Sequence, residues 1–195
     1  MLPDCTINGC FFHLLQSIWR KLQSLGLQSK YIEDEAFALY TKMIPALAFV
    51  PENDVVQAFN KLSQIAPAEL LPLLEYFQPT YVIRNVGLVI RGPIFPVEKW
   101  NVLARIDLDL PKTNNFVEGW RNGFQYHVGA AHPSIFKFLE ILRQEENTTR
   151  VKLIQTSMGR PIPPPKRKYA DLHMRIRNIT QKYNAALKVD YLFVQ

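Results

Sequence analysis

The 195 residues are 48% hydrophobic and carry a net charge of +6, a composition that gives a folded chain with a buried core and excludes the disordered and collagen-like classes. Two cysteines, Cys5 and Cys10, cannot make a disulfide framework, which disfavours the small secreted scaffolds and favours an intracellular protein. No apolar run reaches the roughly 18 to 20 residues of a membrane span, and no basic segment precedes the first apolar residues, so neither a membrane association nor a signal peptide is expected.

In chain order, "GCFFHLLQSIWRKLQSLGLQ" sets Phe11, Leu14, Leu15, Ile18, Trp19, Leu22 and Leu25 at helical spacing, with Asn8 as a cap and Gly26 as a stop. "EDEAFALYTKMIPALAF" opens a second helix on Glu33, Asp34 and Glu35, where acidic groups suit the positive end of the helix dipole; Pro45 should kink or end it. Two short helices follow in "PENDVVQAFNKLSQI" and "APAELLPLLEYF", the first capped by Asn53 or Asp54. The β-branched stretch "TYVIRNVGLVIRGPIFP" reads as an extended crossing or a hairpin with its turn near Asn85 to Gly87.

A helix over 97–106 is predicted next, then one carrying Phe116, Trp120, Phe124 and Val128 along one side. "HPSIFKFLEILRQEENTTRVKL" gives a further helix with Pro133 in its first turn. "GRPIPPPKRK" reads as a polyproline-like linker, and "ADLHMRIRNITQKYNAALK" as a last amphipathic helix. Trp19, Trp100 and Trp120 are expected in the core, with base stacking as the other use of such rings.

Charge is unevenly distributed. Residues 151–195 hold nine Lys and Arg against Asp171 and Asp190, a balance of +7, so the first 150 residues stand at −1. A basic tail on a near-neutral body suits a polyanion such as DNA, because neutralising phosphates releases counterions; a merely solubilising tail is the plainer alternative. The tail's candidate DNA contacts are Lys166, Arg167, Lys168, Arg175 and Arg177. "PPPKRK" fits a nuclear import signal, or simply the solvated end of a linker.

Few residues have the spacing of a chemical site. Cys10 and His13 form a C-x-x-H pair, with Cys5, His127 and His132 as possible completers, but a structural zinc site takes four N or S ligands and no second compact pair exists. A buried cysteine and a hydrogen-bonded histidine fit that turn better than zinc. In "PKTNNFVEGWRNGFQ", Asn115 and Glu118 have the spacing of a capping box. Glu118 can equally be a catalytic acid, but two-metal phosphoryl chemistry needs several carboxylates and nothing nearby supplies a second. The phosphate-loop, dinucleotide, serine-hydrolase and zinc-protease motifs are all missing from the sequence.

Taken together, "GCFFHLLQSIWRKLQSLGLQ", "MIPALAFVPENDVVQAF", "FPVEKWNV" and "LPKTNNFVEGWRNGFQYHVGAAHPSIFKFLEIL" resemble the C-terminal part of Mutator-like element (MULE) transposases, DDE transposases with an RNase H-like catalytic domain. The resemblance runs over about residues 7 to 160 in block order and spacing. It implies that Cys10 and His13 are the C-x-x-H pair between the second catalytic aspartate and the glutamate, and that Glu118 is that glutamate, with Asn114 and Asn115 capping its helix.

The fold it implies is mainly α: a helical insertion plus the C-terminal helices of an RNase H-like α/β domain, most of whose sheet is not in this chain. Its implied divisions are the C-x-x-H helix (1–29), the insertion (30–100), the glutamate helix with the helix after it (101–158), and the basic linker and last helix (159–195). The two catalytic aspartates of the family lie upstream of the C-x-x-H block, and no residue here takes their place. The resemblance thus implies Mg²⁺ or Mn²⁺ at Glu118 only in a full-length parent, with transposon ends and target DNA as partners, a homo-oligomer as a possible assembly, and a nuclear location. For this chain alone it implies no cofactor and no catalysis. A non-catalytic DNA-binding or interaction protein is the alternative, and a third expectation is that the helices around Glu118, deprived of a sheet, expose apolar surface.

Overall fold

In the computed structural model the described residues are 7–86, 89–161, 164 and 167–183, and the side chains of 85, 86, 89, 90 and 168 are not among them. The fold is mainly α. Its elements are α1 (Phe11–Ser24), α2 (Gln28–Glu33), α3 (Glu35–Ala46), α4 (Val55–Ile65), α5 (Leu71–Phe77), the strands β1 (Arg84–Val86) and β2 (Val89–Arg91), α6 (Val97–Trp100), α7 (Leu103–Asp107), α8 (Asn115–Val128), α9 (Ile135–Ser157) and α10 (Arg167–Thr180). They divide into two compact units: described residues up to Thr113 and from Leu172 onward form the first, and Asn114–Asp171 the second.

The first unit is built on one continuous core. The apolar stripe of α1 buries Leu14, Ile18 and Leu22 among Phe37, Met43 and Ile44 of α3, Phe59 and Leu62 of α4, and Leu73 and Phe77 of α5. Each such side chain, fully buried, contributes about 1.5 to 3 kcal/mol. The Phe77 ring sits at the centre of an aromatic group, 4.9 Å from Tyr81, 5.9 Å from Trp100 and 6.2 Å from Phe59 between centroids. Because α1 and α3–α5 share this core, nothing in the packing separates 1–29 from 30–100.

Punctuation residues fix the ends of the helices. Gly26 takes a left-handed backbone (φ 72°) just beyond α1, a conformation that costs glycine nothing. The Asp34 carboxylate accepts from the Phe37 N–H at 2.9 Å and caps α3, and Pro45 falls in the last turn of that helix, which gives way to a 3-10 turn at Leu47–Phe49. Asp54 is the cap residue of α4, following a 3-10 turn at Glu52–Asp54.

The single helix expected over 97–106 is two. Asn101 leaves helical geometry (ψ 140°) between α6 and α7 because its side chain turns inward: Nδ2 donates to the Val50 carbonyl at 2.7 Å and Oδ1 accepts from the Leu103 N–H at 2.9 Å. The Val102 N–H adds a bond to the Ala48 carbonyl at 2.8 Å. These bonds tie residues 101–107 to the first unit's core, where Ile106 is fully buried.

β1 and β2 pair antiparallel, Arg84 opposite Arg91, Asn85 opposite Ile90 and Val86 opposite Val89; the Gly87 turn position named from sequence lies outside the described residues. The hairpin's base is secured by a π-helical turn at Gln78–Val82. The Ile83 N–H donates to the Gln78 carbonyl at 2.9 Å, the Ile94 N–H to Pro79 at 3.1 Å, and the Phe95 N–H to Thr80 at 2.8 Å, while the Phe95 ring stacks on Tyr81.

From Leu172 on, α10 belongs to the first unit. Ile176, Ile179 and Tyr183 pack on its core, and the Tyr183 hydroxyl donates to Asp54 at 2.9 Å. The helix was expected to begin at Ala170 and run to Lys188; it spans Arg167–Thr180, residues 181–183 being non-helical, and residues 184–188 lie outside the described ones.

The second unit is a pairing of α8 and α9. Phe124 meets Phe138 edge-on at 5.8 Å, the Trp120 indole N–H donates to Glu145 at 3.1 Å, and His127 lies 3.6 Å from the same carboxylate. Gly129 (φ 65°) ends α8. Ser134 caps α9 by accepting from the Lys137 N–H at 3.3 Å, so Pro133 precedes the cap and does not occupy the first turn. Trp120, expected in the core, is 48% exposed, since two helices alone cannot enclose an indole.

Candidate functional site

Glu118 lies in the first turns of α8. The helix begins at Asn115 with Asn114 as its cap residue, so Asn115 is helical and Glu118 stands one position beyond the register of a capping box. The Asn114 carbonyl accepts from the N–H groups of Val117 and Glu118, and no side-chain oxygen of Asn114 caps the helix. Its amide instead donates to Glu118 Oε1 at 3.3 Å. The other carboxylate oxygen is 4.0 Å from Arg121, with the Glu118 side chain 44% exposed. The carboxylate is thus oriented by a neutral donor, faced by one distant cation, and open to solvent.

The helix pair that carries Glu118 exposes apolar side chains along its length. Phe116 is 68% exposed and Val117 45%, and on α9 Ile135, Phe136, Leu139, Leu142, Leu153 and Ile154 are likewise exposed. Among the described residues of this unit, the buried apolar side chains are Val128 and Ile141.

Among the described residues, no group of three or more His, Cys, Asp and Glu side chains is placed to hold a metal ion. A catalytic Mg²⁺ or Mn²⁺ pair needs several carboxylates. Cys10 is the cap residue of α1, its carbonyl accepting from the His13 and Leu14 N–H groups; His13 is exposed, its ring against Phe12. Cys5 lies outside the described residues. Around Cys10 the chain is cationic. The Arg105 guanidinium donates to the carbonyls of Asn101, Pro111 and Lys112, burial lowering its pKa while nearby Cys10 opposes the shift; the Lys112 ammonium is likewise pushed down by burial.

Of the basic residues named from sequence, Arg167 is almost fully exposed and 3.8 Å from Asp171. Arg175 is exposed, whereas Arg177 is partly covered. Lys166 and the side chain of Lys168 lie outside the described residues. A basic pair that the sequence pattern did not bring forward is Arg84 and Arg91, set opposite each other by the hairpin register; the near-symmetric string "RNVGLVIR" was its signal. No helix among the described residues is long and apolar enough to cross a membrane.

Compared with family models, with curated proteins and with solved structures, the chain finds no match.

Proposed function

We propose that the chain is the C-terminal portion of a MULE-type DDE transposase, which binds DNA and performs no strand chemistry by itself. The observation that carries the reading is the position of Glu118: a carboxylate held by Asn114 on a helix pair that leaves many apolar side chains exposed. Helices built to lie on a sheet have this character, and in an RNase H-like domain the acid-bearing helix lies on one.

In this reading the parental reaction is metal-dependent cleavage and transfer of DNA strands in the nucleus, with Glu118 as the third acid, and a homo-oligomer is compatible with it. Among the described residues Glu118 belongs to no group of three or more His, Cys, Asp and Glu side chains placed to hold a metal, and no step through a metal is assigned to this chain. DNA binding remains, carried by the basic residues. The test is incubation of the purified chain with supercoiled plasmid and Mg²⁺ or Mn²⁺. Retardation without nicking is expected; nicking that Glu118→Gln abolishes would overturn the claim of inactivity. Sequencing the transcript upstream of Met1 tests the parentage, for which two in-frame aspartates, each after a predicted strand, are the expected finding.

The alternative, a non-catalytic DNA-binding module, is favoured by one observation. α10 turns Ile176 and Ile179 to the first unit's core and leaves Arg175 exposed. Such a helix offers phosphate contacts without any catalytic group. Under this reading Lys166, Arg167, Lys168, Arg175 and Arg177 supply the affinity, which falls steeply with salt.

A further inference from the structure

We propose that Arg84 and Arg91, paired across the β1–β2 hairpin, grip the phosphodiester backbone of duplex DNA. The inference rests on the DNA-binding reading above and gives it a site away from the basic tail. Its basis is the register, in which the two arginines are direct antiparallel partners. Directly opposed residues on an antiparallel pair share a face with their Cβ atoms about 4.5 to 5.5 Å apart, and like charges so placed are destabilising. Both guanidinium groups are charged at any physiological pH.

Nothing among the described residues offsets that repulsion. The ion pairs found there involve other side chains, and no carboxylate lies within 4.0 Å of either arginine. Arg84 Nε is shut off from solvent with no hydrogen-bond partner among the described residues, and an unmet buried donor is costly. Arg91 is exposed. The buried Nε of Arg84 is out of reach of an outside ligand; it is the pairing of two cationic side chains, Arg84 half-buried and Arg91 exposed, that suits an oxyanion bound between them. A phosphodiester supplies one negative charge and two free oxygens.

The hairpin is also held ready for such a ligand. The bonds from Ile83, Ile94 and Phe95 to Gln78, Pro79 and Thr80, together with the stacking of Phe95 on Tyr81, fix its base to the first unit. The contact reads backbone and not base edges, so it positions DNA without selecting sequence.

The test compares wild-type protein with Arg84→Gln/Arg91→Gln and Arg84→Lys/Arg91→Lys by fluorescence anisotropy, using a 30-base-pair duplex over a range of salt. The glutamine variant is expected to bind roughly tenfold more weakly and to lose about one unit of the salt slope. The lysine variant should recover the slope but not the full affinity, since the charge is kept and the fork is lost. Without DNA, the glutamine variant should melt at or above the wild-type temperature, because a like-charge pair has been removed.

Wild-type protein that binds while the glutamine variant matches it in affinity and slope would overturn the hairpin site and leave DNA binding standing. A glutamine variant that melts several degrees lower, or a lysine variant with no recovery of slope, would also overturn it, by making the arginines structural. Wild-type protein that binds no duplex at low salt would remove the DNA reading and the site together. A rise in wild-type melting temperature with inorganic phosphate at matched ionic strength, absent from the glutamine variant and unaccompanied by DNA binding, would reassign the site to free phosphate and overturn the proposal.

Discussion

Asn101 and Val50, 51 positions apart in sequence, meet inside the first unit through an Nδ2–H to carbonyl bond of 2.7 Å. The same side chain accepts from the Leu103 N–H and is 6% exposed. Asn101→Ala strands one buried carbonyl and one N–H at once. An unmet buried group costs about 1 to 3 kcal/mol, so a loss of roughly 2 kcal/mol or more is expected. Urea unfolding followed by far-ultraviolet circular dichroism measures it, and a change below about 0.5 kcal/mol, the scatter of surface substitutions, would contradict the assignment.

Phe77 should be the most costly aromatic to truncate. It is fully buried and its ring meets those of Phe59, Tyr81 and Trp100. Phe77→Ala removes all three contacts and leaves a cavity, a change that costs about 3 to 5 kcal/mol. Phe77→Leu should lose much less, because it keeps most of the apolar volume. Chemical denaturation of the two variants side by side would show the difference in midpoint.

Lys112 gives a pH signature. Burial lowers its pKa from an ordinary value of 10.5, so the folded state holds the charged form less readily than the unfolded chain does. The resulting destabilisation is fully present below the folded pKa and fades as pH rises toward the unfolded value. Lys112→Met, which keeps the backbone carbonyl that accepts from Phe11, should therefore melt above wild type at pH 7, and the gap should narrow toward pH 10.5. A gap that stayed constant with pH would assign the gain to packing instead.

The uncovered faces of α8 and α9 should be visible in solution. Phe136 is 81% and Leu153 66% exposed, and apolar patches of this kind bind dyes and promote association. The purified chain is expected to enhance 1-anilinonaphthalene-8-sulfonate fluorescence and to elute broadly on gel filtration. Leu139→Glu/Leu153→Glu should weaken both effects without altering the melting of the first unit. Equal dye binding by the variant would place the exposed surface elsewhere.

Much of the first unit was legible because helical periodicity depends on side chains close in sequence. Leu14, Ile18 and Leu22 stand out as one stripe from their spacing alone, and Gly26 and Asp34 mark helix ends by backbone preference and capping chemistry. The break at Asn101 was not legible. It depends on a carbonyl contributed by Val50, and no local pattern around Asn101 signals a partner that distant. The one-residue difference in the cap of α8 has a similar cause: Asn114 and Asn115 are chemically identical, and only backbone geometry decides which of them precedes the helix. The fate of Trp120 turned on how many elements surround α8, a quantity that periodicity does not carry. At the candidate site, Glu118 was legible as a singular acid. Its tie to Asn114 replaced the expected capping box, and the Arg84–Arg91 pairing depended on strand register.

The docking of α10 onto the first unit has a kinetic consequence. The bond from Tyr183 to Asp54 joins positions 129 residues apart, and Leu172 rejoins the first unit only after the chain has passed through all of Asn114–Asp171. Contacts within α1–α5 close shorter loops, 59 positions between Ser17 of α1 and Tyr76 of α5, whereas this one closes a longer loop and bears the entropy of doing so. Non-local closure of this kind comes late in folding. α10 should thus be the last helix to gain its native contacts and the first to release them, leaving a body of short-range helices already formed while the C-terminal strap is still open.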